Sequence, residues 1–343
     1  MEWSKERAMS FRKLWSQCSV AGLLLAMIAH SSSAADPSLP DREVLVVIGA
    51  PGETEYANAF RSWADRWRQV FGTDPRTAFQ LIDGTDTTTV GATVHRQQIL
   101  DWIERKPTSA PESPMPERWL VLIGHGTHDR SGAKFNLRGP DLTAEAIAKS
   151  IAKVNAKWLI VDGSSSSGPF LTALSGKDRV VITATKNGAE QNYARFGDFL
   201  SQTISDPSSD LDHDECVSIL EAFLAASSRV AQFYENEDRL ASEQALLDDN
   251  GDGRGTPAAF YRGARPVKAP ADGLKLDGTL AGRWIISHFG KSKHGTSEPR
   301  SAEQIARRLE LEAELDGLRS KKIELGEDAY YAELERLFLE LAK

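Results

Sequence analysis

Cysteine is almost missing from this chain: Cys18 and Cys216 are the two in 343 residues. Cys18 falls in an N-terminal leader, so the mature chain holds one thiol and no internal disulfide framework. Long apolar runs are missing as well. The leader's run, Val20–Ala29, falls well short of the roughly 20 residues that span a bilayer, so no membrane span is expected after cleavage. Positive charge is in deficit, with 41 Lys and Arg against 49 Asp and Glu and a net charge of −8. That balance argues against nucleic acid as a partner and gives no attraction to anionic membranes. The turn Gly49-Ala50-Pro51-Gly52 is not followed by Gly-Lys-Ser/Thr, which excludes a phosphate-binding loop.

What is present begins with residues 1–34, which read as a secretory signal. Lys5, Arg7, Arg12 and Lys13 form a basic start, Val20–Ala29 an apolar core, and Ser32-Ser33-Ala34 a small-residue cleavage site. The expected destination is periplasmic or secreted. Cleavage removes four basic and two acidic residues and takes the net charge from −8 to −10.

Strands and helices then alternate. Glu43–Gly49 is an unbroken apolar run, as in a parallel strand buried on both faces. Glu55–Phe71 reads as a helix whose Tyr56, Phe60, Trp63, Trp67 and Val70 recur at steps of four and three, a heavy aromatic face for the core. Phe79–Ile82, Trp119–Ile123, Trp158–Val161 and Arg179–Thr183 read as further strands, with helices over Val94–Glu104, Leu142–Val154 and Gly168–Leu174. The prolines at 107, 111, 114 and 116 mark an exposed excursion, and Ser131–Arg138 a hairpin. This alternation predicts an α/β fold, a three-layer sandwich around a mainly parallel sheet, with an α-helical C-terminal extension. The expected layout is an α/β domain over 41–206, a helical extension with acidic loops over 207–289, a linker over 290–300, and a helical hairpin over 301–343.

Two strand ends carry the chemistry. Trp119–Ile123 runs into Gly124-His125-Gly126, and Trp158–Val161 into Asp162-Gly163-Ser164-Ser165-Ser166-Ser167-Gly168-Pro169-Phe170. A histidine after one strand and an acidic, small-residue loop after the next is the layout of a nucleophile–base site at the carboxyl edge of a sheet. These motifs resemble the caspase/legumain group of cysteine peptidases. Ala133–Thr143 and Arg179–Gly197 are similar to exported bacterial proteins of that kind, and the likeness covers about Glu43–Asp206. It implies His125 as the base, an oxyanion site from backbone N–H groups near Gly126 and Ser164, and Ser164 in the position of the nucleophilic cysteine. Asp162 is the candidate third group that orients the pair. A thiolate forms readily beside an imidazole, but a serine hydroxyl needs a tightly bonded base and a third, orienting group. Four consecutive serines also read as a relaxed loop more than as one selected nucleophile.

The expectation is therefore a degenerate peptidase that keeps its base, lacks its sulfur, and binds peptide or protein. The rival is an active endopeptidase using Ser164 with His125, and a third reading is a calcium-stabilised structural envelope protein. GHGTH also matches the histidine motif of subtilases, with His294-Gly295-Thr296-Ser297 as a faint companion. The polar turn after the first and the linker around the second hold no rigid site.

Two acidic loops follow. Asp210, Asp212, Asp214, Ser218 and Glu221 match an EF-hand loop at positions 1, 3, 5, 9 and 12, with Cys216 at position 7 offering its carbonyl. Ca²⁺ is the expected ligand, although Glu215 stands where glycine normally makes the turn. Asp248, Asn250 and Asp252 supply the first half of a weaker site, and Ala259 falls where the closing carboxylate belongs. The final helices, Ala302–Leu325 and Asp328–Lys343, carry leucine stripes that cannot bury much alone. They dock on the main domain or mediate oligomerisation.

Overall fold

The computed structural model describes residues 42–85, 94–108, 115–268, 275–289 and 321–341, with a few single positions elsewhere. The leader 1–34, the linker 290–300 with its Gly-Thr-Ser, and most of the first C-terminal helix lie outside the described residues.

Six strands form the central sheet: β1 (Arg42–Ile48), β2 (Thr77–Asp83), β3 (Glu117–Ile123), β7 (Lys157–Asp162), β8 (Arg179–Thr183) and β10 (Leu246–Asp248). A three-stranded sheet of β4 (Gly126–Asp129), β5 (Gly132–Phe135) and β6 (Leu142–Thr143) follows β3, and β9 (Cys216–Ser218) pairs with Ile285–His288. The central order is β10-β8-β7-β3-β1-β2, parallel except for β10.

Alternation along the strands explains the three layers. Val44, Val46, Trp119, Val121, Leu159 and Ile182 turn to one face, where α1 (Thr54–Phe71), α5 (Phe196–Thr203) and α6 (Ile219–Asn236) cover them. Leu45, Val47, Leu120, Leu122, Trp158 and Ile160 turn to the other, under α2 (Val94–Glu104), α3 (Ala144–Ile151) and α4 (Gly168–Leu174). With both faces covered, apolar residues are required at every position, which is why these strands read as unbroken runs. The aromatic face of α1 is core, as its spacing implies: Phe60, Trp63, Trp67 and Phe71 are all buried. No described helix is long and apolar enough to cross a membrane.

The boundary expected near Asp206 is not a boundary of the core. β10 completes the sheet beside β8, and Phe223, Val230, Leu247 and Trp284 share one apolar cluster with β1 and α1. Residues after 206 therefore close the domain rather than extend it. At the far end, Leu311, Leu315, Leu318, Tyr330 and Leu337 form a cluster of their own.

One buried ion pair ties the start of the sheet together. Arg118 is fully buried, sits 3.0 Å from Glu43, and donates to the carbonyls of Trp102, Ile103 and Arg105. Its guanidinium lies over the Trp102 ring at 4.1 Å. The contact with Glu43 is ionic, without hydrogen-bond geometry, and Thr108 satisfies the other carboxylate oxygen. Removing one partner of such a pair strands the other. Arg118→Leu is expected to lose about 3 kcal/mol in urea unfolding, with part recovered by adding Glu43→Gln. Loss of under about 1 kcal/mol would show that the pair matters little.

Candidate active site at the sheet switch point

The strand order reverses between β1 and β3, and open α/β sheets bind ligands at the carboxyl ends of the strands flanking such a reversal. Pro51 follows β1, His125 follows β3, and Ser164 follows β7, so all three converge on this rim.

His125 is half-buried, and its Nε2 lies 3.2 Å from the Pro51 carbonyl, to which it donates. Tyr56, Phe60 and Tyr193 stand edge-on to the imidazole at 4.7, 5.1 and 6.2 Å between ring centres. Burial among these rings pulls the His125 pKa below its ordinary value, and the Pro51 bond opposes that only in part. The ring is therefore neutral at neutral pH.

Ser164 is brought to the same rim but not to the histidine. Its hydroxyl, 1% exposed, donates to Asp162 Oδ1 at 2.6 Å, with a longer contact of 3.3 Å to the Ser165 carbonyl. No hydrogen bond joins Ser164 to His125. The oxyanion donors expected from Gly126 and Ser164 are engaged as well. The Ser164 N–H donates to Asp162 at 3.0 Å, and the Gly126 N–H points at Ser165 Oγ at 3.4 Å.

The serine run is not a relaxed loop. Ser165 donates back to the Gly126 carbonyl at 3.2 Å, which joins the β7 end to the β3 end. Ser166 takes the left-handed conformation at φ 56 and gives its N–H to the Glu190 carbonyl. Ser167 pairs with the Thr185 hydroxyl at 3.2 Å. All four serines are buried. Gly126 is required by this closeness, since a Cβ there would lie 2.2 Å from the Ser165 carbonyl oxygen. Sequence reasoning missed Tyr193, Pro51 and the docking of Tyr56 on the histidine. The position of Tyr56, leading the aromatic stripe of α1, is the one signal that was there to read.

The first acidic loop is partly as expected. One oxygen each from Asp210, Asp212 and Asp214 fall within 4.8 Å of one another. Glu215 takes the left-handed conformation at φ 71, doing the turn that glycine usually does. Glu221 spends both carboxylate oxygens within the chain. Its Oε1 accepts from the N–H groups of Leu211 and Asp212, and its Oε2 from Ser218, which makes it half of a capping box at the start of α6. Ser218 is consumed in the same box, and Cys216 Sγ contacts His288 Nδ1 at 3.2 Å. In the second loop Asp248 accepts from Ser175, Gly251 and Gly253, and Asn250 and Asp252 accept from Asp252 and Arg254 N–H groups. Asp248 is buried inside a turn, where its oxygens serve the chain's own donors.

Neither a family model nor a curated protein matches the chain. Among solved structures, the Drosophila initiator caspase Dronc is similar at a TM-score of 0.40 and 13% identity, over 64% of this chain and 83% of that one. Raptor from Chaetomium thermophilum is similar at a TM-score of 0.31 and 7% identity, over 51% of this chain and 18% of that one. Likenesses this distant carry no chemistry.

Burial raises the Asp162 carboxyl from 3.8 to about 6, against the bonds from Ser164, and Oδ2 has no partner. Between those pH values the folded chain binds the extra proton, so stability falls as pH rises from about 4 to about 6, by up to roughly 3 kcal/mol. Asp162→Asn keeps the acceptor for Ser164 and removes the charge. Melting temperatures measured across that window are expected to fall less steeply in the variant than in the wild type. Equal slopes would remove Asp162 as the cause.

Proposed function

We propose that this is an exported protein on a caspase/legumain-like scaffold, a degenerate peptidase that keeps its histidine and binds peptide or protein without cutting it. Export rests on the leader-like residues 1–34. The scaffold reading rests on Gly-His-Gly after β3 and the acidic, small-residue loop after β7, on neighbouring strands of a sheet with its reversal beside them. One observation carries the loss of activity. The hydroxyl at the nucleophile position is buried and bonded to Asp162, while the histidine is bonded to Pro51. General-base activation requires a bond between the two.

The rival, a serine endopeptidase, requires Ser164 to leave Asp162 and His125 to leave the Pro51 carbonyl so that the two can bond. The mature protein and its Ser164→Ala and His125→Ala variants are incubated with a mixed peptide library, with and without Ca²⁺. No cleavage by any form is expected. Cleavage by the wild type that both substitutions abolish would establish the serine enzyme.

Ca²⁺ at Asp210, Asp212 and Asp214 is a second part of the proposal, favoured by the left-handed Glu215 and serving to stiffen the loop before α6. It is the feature the structural-envelope reading depends on. Ca²⁺ is expected to raise the melting temperature by a few degrees, and to leave Asp212→Ala unchanged. A wild type indifferent to millimolar Ca²⁺ would remove the site. Oligomerisation through the C-terminal hairpin belongs here too, because Tyr331, Phe338 and Leu339 on Glu327–Leu341 are half exposed or more.

A further inference from the structure

The sheet ends laterally at β2, and among the described residues β2 pairs with β1 alone. Two backbone bonds fix which of its groups are spent: Arg42 N–H to the Arg76 carbonyl, and Gly84 N–H to the Ile48 carbonyl. In a regular parallel ladder alternate residues bond to the neighbour, so the even-numbered residues of β2 face β1. Phe79, Leu81 and Asp83 therefore turn their N–H and C=O groups outward. The strand TAFQLID carries no proline, no lysine and no bulge, the usual devices that keep an edge from pairing.

A groove of about 850 Å³ opens around this edge, with Arg61 from α1 on one side and His95, Gln98, Asp101 and Arg105 from α2 on the other. Its lining is polar and of both signs: Arg61 pairs with Asp83, and Arg105 with Glu43. His95 is 7% exposed and its Nδ1 has no hydrogen-bond partner.

We infer that β2 is a strand-addition site, taking an extended polar peptide of a partner protein alongside Phe79–Asp83. This rests on the reading that the chain binds peptide rather than cutting it, and it places the ligand at β2 instead of at His125. The outward amides and carbonyls supply main-chain bonds. The groove receives alternate side chains of the added strand, and its mixed charge suits a peptide carrying polar residues of both signs. A second copy of β2 fits less well, because its TAFQLID strand would bring Phe79, Leu81 and Ile82 to a lining that includes Arg61, His95, Gln98, Asp101 and Arg105.

The probe is a peptide selected from a phage-displayed random dodecapeptide library on the full mature protein, then synthesised. Hydrogen exchange with that peptide is expected to protect the amides of Phe79 and Leu81. Leu81→Pro removes one outward N–H and spares the ladder, and is expected to bind about tenfold more weakly. Leu81→Ala loses similar packing but keeps the N–H, and is expected to stay within about threefold of the wild type. Equal loss in both variants would overturn the site. Protection around His125 would overturn it too, yet leave the degenerate-peptidase reading intact. Protection of Phe79 and Leu81 that rises with protein concentration, without peptide, would assign the edge to a second copy instead. A library yielding no binder would overturn strand addition, while the cleavage assay decides separately whether the chain is an enzyme.

Discussion

A parallel strand covered on both faces has room for polar chemistry only where it ends. In β1, β3 and β7 nearly every side chain is buried, so the groups able to meet a ligand collect at Pro51, His125 and Asp162–Ser167. The strand order reverses between β1 and β3, the place where open α/β sheets form a crevice. The candidate site follows from what packs against that rim. Tyr56 arrives from the first turn of α1, Tyr193 from the segment after β8, and both close on the imidazole.

The layers were legible because burial on two faces writes continuous apolar runs, and burial on one face of a helix writes a stripe. Val44–Ile48, Trp119–Ile123 and the α1 aromatics are of this kind. What could not be read is what depends on pairing across long separations. β10 is three residues inside an acidic stretch that resembles a metal loop, and its strand character comes from β8, more than sixty residues earlier in the chain. Glu221 illustrates the same limit. Its spacing suits the closing ligand of a calcium loop and the third residue of a capping box equally well, and only the geometry separates the two. For the site, residue identity placed His125 and Ser164 on adjacent strand ends. It did not say where a hydroxyl would point, because Asp162, two residues away, competes for that proton at short range.

The four serines of the loop after β7 are all put to structural use. Each bonds to a different neighbour: Asp162, Gly126, Glu190 and Thr185. Together they stitch the ends of β3 and β7 to the segment after β8. The arrangement has costs in the buried, unpaired oxygens of Asp162 and Ser166 and in the left-handed backbone of Ser166. A loop tied at four points resists the local motion that would bring a hydroxyl to the imidazole. A cysteine at position 164 would therefore not by itself meet the imidazole.

The two sides of the sheet are finished differently, and that asymmetry bears on what the molecule can hold. On the β10 side, Leu247 exchanges both backbone bonds with Thr256, so the edge is paired within the chain. On the β2 side the odd-numbered residues have no such partner among the described residues, and the flanking helices present Arg61, His95, Gln98, Asp101 and Arg105 beside Trp102. An edge flanked by charged and amide side chains is suited to a soluble, extended ligand. An edge of this kind is a backbone template, where affinity comes from main-chain pairing and needs no nucleophile.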